Sequence, residues 1–176
     1  MKRGSKRKLG QLKISFSMLF SIILIIAFLA VAIYAIKFFL DQKKCAEQGI
    51  FKQDLQEEIN RAWSSDESSF VFSHTLSKSL DYVCFINSKE GARGNTELYN
   101  DVLKYGLTPE TNMFYWPLRK ACKDARVFSL EHIDIEKITE KENPYCIEVV
   151  EGKVKIKIEK GFSEDKVLLK KIFKIS

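Results

Sequence analysis

From Ile14 to Ile36 the chain carries 23 consecutive uncharged residues, and Met18–Ile36 has only Ser21 and Tyr34 as polar side chains. At about 1.5 Å per residue such a stretch makes a helix of about 34 Å, against a hydrocarbon core of about 30 Å. A buried core helix would show a polar face, and this segment has none. A secretory h-region is usually about 7–15 residues long and ends at a small-x-small site. Ala30-Val31-Ala32 has that form, yet the apolar chain continues through Ile36. The pattern predicts a retained transmembrane helix over residues 14–40.

The period then changes. Over residues 43–63 the apolar positions Phe51, Leu55, Ile59 and Ala62/Trp63 recur at helical spacing, while Lys52, Asp54, Gln56, Glu57 and Arg61 face elsewhere. This predicts an amphipathic stalk helix over residues 41–65 whose packing stripe is Phe51, Leu55, Ile59 and Trp63. Gly49 is its one weak point, worth about 1 kcal/mol against Ala. No proline separates it from the apolar span, so one helix is expected from about residue 14 to 63. The cluster Ser64–Ser69 should end it, because small polar side chains compete for backbone hydrogen bonds.

Residues 66–176 read as a β-rich head. Phe70–Leu76, Leu80–Asn87, Met113–Trp116, Val127–Leu130, Ile133–Ile138 and Val167–Ile175 are strand candidates, and Glu97–Tyr105 a short helix stopped by Gly106. The clearest signal is Tyr145–Val150, then Glu151-Gly152, then Lys153–Glu159, a hairpin with a two-residue turn. Val154, Ile156 and Ile158 alternate with Lys153, Lys155 and Lys157, so one face is buried and the other wet. The fold class is α+β: a small antiparallel sheet or meander, with the stalk stripe covering one face.

Charge changes the picture of topology rather than of ligand. The chain has 29 Lys plus Arg against 23 Asp plus Glu, a formal +6. Residues 1–13 hold six basic groups (Lys2, Arg3, Lys6, Arg7, Lys8, Lys13) and no acid, so the remainder is neutral. That argues against a basic nucleic-acid groove in the folded part. The heavier positive flank places residues 1–13 in the cytoplasm as a basic leader and the head outside, against the lighter flank of Lys37, Lys43 and Lys44.

Cysteine usage agrees with that placement. Cys45, Cys84, Cys122 and Cys146 all follow the apolar span, at wide spacings with no C-x-x-C pair. A zinc knuckle or thioredoxin-like site is not indicated, whereas an even count in an exported domain fits two disulfides with three possible connectivities.

A basic leader, then Gly10-Gln11, then an uncharged apolar helix resembles the class III signal of archaeal type IV pilin-like proteins. A long N-terminal helix capped by a β-rich head is similar to that family in outline. The resemblance implies cleavage by a prepilin peptidase between Gly10 and Gln11, and packing of the helix into a filament. Leu9 stands where a basic residue is common, and Ser15 where many pilins carry a glutamate that guides assembly.

Catalytic signals are sparse. The two histidines, His74 and His132, fall on strand-edge or loop positions, and a Cys122/His132 nucleophile pair is outweighed by a disulfide cysteine beside a surface histidine. Gly91-Ala-Arg-Gly94 lacks the strand-to-helix context of a phosphate loop. Tyr99, Tyr105, Phe114, Tyr115 and Trp116 form the most aromatic stretch, read as core before recognition surface. Ser17 and Ser21 are spaced for a helix–helix contact but read first as ordinary membrane-helix serines. No catalytic residue, cofactor or metal ligand is expected. The expected partners are the lipid bilayer, further copies in a homo-oligomer or pilin-like assembly, and a prepilin peptidase. The expected function is a membrane-anchored structural or interaction protein at the cell surface; the alternative is a monomeric accessory or sensor ectodomain of an envelope complex.

Overall fold

The computed structural model describes residues 16–106, 108–122 and 126–172. The first element, α1 (Phe16–Trp63), is one uninterrupted helix. It crosses the boundary between two units, Met1–Asp41 and Gln42–Ser176. In the first unit every large apolar side chain from Phe16 to Leu40 is exposed. In the second, the stripe Phe51, Leu55, Ile59 and Ala62 is fully buried. Burial of a side chain the size of Phe51, Leu55 or Ile59 contributes about 1.5–3 kcal/mol.

Gln42–Ser176 is built on a seven-stranded antiparallel sheet: β1 (Ser68–Thr75), β2 (Tyr82–Phe85), β3 (Met113–Trp116), β4 (Val127–Phe128), β5 (Tyr145–Val150), β6 (Lys153–Lys160) and β7 (Leu168–Lys171). The order β1-β6-β5-β2-β3-β4, with β7 also on β6, is not a meander. β6 is the hub. β1 runs its full length, β5 pairs at its start through Val149–Val154 and Val150–Lys153, and β7 pairs further along at Ile156–Glu159. The helices α2 (Thr96–Leu103) and α3 (Ile135–Ile138) complete the unit.

Period-2 alternation divides the core into two layers. Val83, Phe85, Met113, Tyr115, Ile147, Val149, Val154, Ile156 and Ile158 share one cluster with the α1 stripe. Phe51 meets Phe72 and Tyr115 there, each with ring centroids 5.8 Å apart. Their alternates Cys84 and Phe114 pack with Ile86 and Leu118 against Leu98, Tyr99 and Val102 of α2. The sheet is thus covered by α1 on one face and by α2 on part of the other.

The β5–β6 hairpin turns through Glu151 and Gly152, both at positive φ (52° and 76°), as a two-residue turn between twisted strands requires. Four elements depart from the expected pattern. Ile133–Ile138 is no strand: Asp134 caps α3, its side chain accepting from the Lys137 amide, and only Ile133 keeps a bridge, to Val167. The apolar alternation suggested extension, but an Asp followed by Glu in the first turn favours helix initiation. The strand candidates at Leu80–Asn87, Val127–Leu130 and Val167–Ile175 are shorter than expected, and residues 173–176 lie outside the described ones.

Candidate functional site

Two surfaces of the chain carry usable chemistry, the apolar half of α1 and a cleft on the α2 side of the sheet. Among the described residues α1 is the one helix long and apolar enough to cross a membrane. Ser21 Oγ donates to the Ser17 carbonyl at 2.9 Å, so that hydroxyl is satisfied within its own helix. Gly10 and Gln11, with Leu9, Ser15 and the basic leader, lie outside the described residues.

The cysteines form two pairs, Cys45–Cys122 and Cys84–Cys146. Cys45 of α1 is tied to the segment after β3, where the Gln48 side chain accepts from the Cys122 amide at 2.9 Å and the Tyr115 hydroxyl donates to the Gln48 carbonyl at 2.8 Å. Burial pushes the Tyr115 phenol far above its ordinary 10.0. Cys84 and Cys146 face each other directly across β2 and β5. With Cys122 in a disulfide there is no thiol to pair with His132. That imidazole is stacked on the Trp63 indole instead, 3.8 Å between centroids and 12° between planes. Trp63 also donates through Nε1 to the Asp165 carbonyl and stays 42% exposed, so it closes the end of α1 rather than filling the core. His74 lies between the Thr75 carbonyl (2.8 Å from Nδ1) and Asp54 Oδ2 (3.1 Å from Nε2), joining β1 to α1.

α2 packs on Cys84 and Phe114; in the next cross-strand pair on that face, Tyr82 opposite Trp116, Tyr82 stays 38% exposed and Trp116 is partly buried against the same cluster. Beside this pair lies a cleft of about 460 Å³ lined by residues of α2 and of the sheet. Tyr82, Trp116 and Pro144 are among its apolar lining residues; Glu97 and Asp101 of α2 and Glu142 supply carboxylates. No Lys or Arg is among the residues lining it.

The walls are held from behind. Asn95 caps α2, its Oδ1 accepting from the Leu98 amide at 2.9 Å. The buried Asn143 amide spans the preceding loop, accepting from the Asn87 amide and donating to the Asn87 and Gly91 carbonyls, each at 3.0 Å. Tyr99 donates to the Glu90 carbonyl from the other side. Gly91–Gly94 is therefore a pinned turn, with Arg93 paired to Glu90.

Two of the three carboxylates already hold an ammonium group. Lys104 Nζ is 2.8 Å from Asp101, whose hydrogen bond raises the lysine's pKa, and Lys171 Nζ is 2.7 Å from Glu142. Glu97 makes no hydrogen bond or ion pair to any described residue, and neither the Trp116 indole N–H nor the Tyr82 hydroxyl has a hydrogen-bond partner among them.

Of the aromatic stretch singled out in the sequence, Tyr99, Phe114 and Tyr115 are core, Trp116 lines the cleft, and Tyr105 lies under the Arg126 guanidinium at 5.5 Å. Tyr82, Glu97, Asp101, Glu142 and Pro144 carried no signal of their own, since three separate segments bring them together. A second cleft of about 340 Å³, between α1 and β1, is internally paired through Asp54 with His74 and Glu58 with Arg61. No family model matches the chain, and neither does any curated protein or solved structure.

Proposed function

We propose that the chain is a single-pass membrane protein, pilin-like in organisation, with its N-terminus cytoplasmic and Gln42–Ser176 extracytoplasmic, and that it works through contacts rather than chemistry. The observation that carries this reading is the run of large apolar side chains from Phe16 to Leu40, every one exposed. A soluble protein rarely leaves so large a contiguous apolar surface in water, whereas a bilayer accepts it. The basic leader sets the orientation, and two disulfides suit an oxidising compartment.

In this reading α1 anchors the protein and offers a lateral contact surface for further copies, while the braced head presents a binding surface. The test is intact-mass measurement with and without reductant on protein extracted from membranes, beside protease accessibility in intact cells. A mass rising by four hydrogen atoms on reduction and a head cleaved from outside are expected. Extraction by carbonate without detergent, or a head protected in intact cells, refutes the reading. Loss of residues 1–10 supports prepilin processing; an intact leader favours a plain signal anchor. The cleft beside α2 favours a second version, a sensor or accessory ectodomain, which affinity purification from detergent would reveal through stoichiometric partners.

A further inference from the structure

We propose that the cleft between α2 and the Tyr82–Trp116 step binds a small alkylammonium ion. Its volume of about 460 Å³ falls within the range of small-molecule sites, about 300–1,000 Å³. Its lining includes a tryptophan and a tyrosine, side chains whose rings attract a cation, Trp most strongly.

The charged groups at its rim select the sign. Glu97, Asp101 and Glu142 are its only ionisable acids or bases apart from the Tyr82 phenol, and the chain itself shows the affinity of such carboxylates for ammonium groups. Asp101 and Glu142 are each occupied by a lysine of the same chain, at 2.8 and 2.7 Å. Glu97 has the same rim position, makes no hydrogen bond or ion pair to any described residue, and acts on Lys104 only through space. One available carboxylate beside one aromatic step matches a single positive charge carrying apolar substituents. An anion meets the Glu97 carboxylate, which no lysine contacts directly, and a neutral ligand gains nothing from Glu97 beyond a hydrogen bond.

All of these groups lie within Gln42–Ser176, so the inference does not depend on membrane topology, and either reading can fail without the other. It names a ligand class for the binding head.

The experiment is calorimetric titration of the full chain in detergent micelles with choline. The companion ligand is 3,3-dimethyl-1-butanol, the neutral carbon isostere of the same shape. Choline is expected to bind in the millimolar range or tighter, and the isostere about tenfold more weakly, since the cation–ring and ion-pair attractions are both lost. Glu97→Gln keeps the shape and the exposed position of that side chain, and should weaken choline about threefold while leaving the isostere unchanged. Tyr82→Leu is the second variant and should weaken choline more than the isostere. Absence of choline binding, equal affinity for the two ligands, an unaltered choline affinity in E97Q, or tighter binding of a neutral monosaccharide such as glucose each overturns the proposal.

Discussion

Gly152 occupies the second turn position of the β5–β6 hairpin at φ +76°. A Cβ added there would lie 2.9 Å from the Leu76 carbonyl oxygen and 3.1 Å from Lys78 Cγ. The approach is close because the hairpin tip docks on the end of β1, the Leu76 amide donating to the Gly152 carbonyl at 2.8 Å. Gly152→Ala therefore carries two penalties. Left-handed backbone costs an L residue about 1–2 kcal/mol. Relieving the overlap with a backbone oxygen costs about 1–3 kcal/mol more, as overpacking does elsewhere. Gly106 isolates the first term, since its φ is +77° and nothing lies within 4 Å of its Cβ position. Urea and thermal unfolding of the head, followed by near-ultraviolet circular dichroism, should show G106A losing about 1–2 kcal/mol and G152A about 2–5 kcal/mol. The gap is worth on the order of 5 °C in Tm. Equal losses in the two variants would refute the steric part of this reasoning. Glu151→Gly supplies the opposite sign: it removes a non-glycine residue at φ +52° and should not destabilise the hairpin.

Replacing Cys45 and Cys122 by serine opens a loop with a sequence separation of 77 and should cost about 4 kcal/mol by the chain-entropy estimate, measured by denaturant unfolding; peptide mapping without reductant should recover the Cys45–Cys122 and Cys84–Cys146 peptides. Glu159 is held below its ordinary 4.5 by hydrogen bonds from Lys157 and Lys170. A depressed carboxyl stabilises the fold above that ordinary value and loses its contribution as pH falls through the lower folded-state value, so E159Q should flatten the acid limb of the stability curve below about pH 4.5. Ile26→Arg places a charge midway along the apolar segment; it should cost about 2.5–3.5 kcal/mol of insertion free energy, read as a reduced membrane-integrated fraction, and unchanged integration would count against the membrane assignment.

Elements with a sustained period were legible from the residues. The helical stripe Phe51, Leu55, Ile59 and the alternation of Val154, Ile156 and Ile158 each repeat several times, and both appear in the fold as buried faces. The hairpin at Glu151-Gly152 was legible too, because a two-residue turn demands residues that tolerate positive φ. Short segments were not. Ile133–Ile138 has too few residues for periodicity to outweigh one capping aspartate, and Trp63, in phase with the stripe, stacks on His132 at its end. Strand order escaped the sequence as well, since it depends on which edges of β6 remain free once β5 and β1 have paired.

The candidate site shows the limit more sharply. Trp116 was visible as one of an aromatic run, but nothing local distinguishes it from Tyr115, its buried neighbour. The pleat separates them, sending Tyr115 to the α1 layer and Trp116 to the α2 side. Glu97, Asp101 and Glu142 are unremarkable acids until α2 and the β4–β5 connection bring them to one rim.

By itself the sequence determined what depends on neighbours along the chain: an apolar helix, a stalk stripe, a turn and a charge excess confined to residues 1–13. Tertiary structure alone decided which cysteines pair, which aromatics are core, and which residues line the cleft beside α2. The reason is physical. Period and turn geometry are local properties of the backbone, while pairing, burial and clefts are set by contacts between residues far apart in the chain.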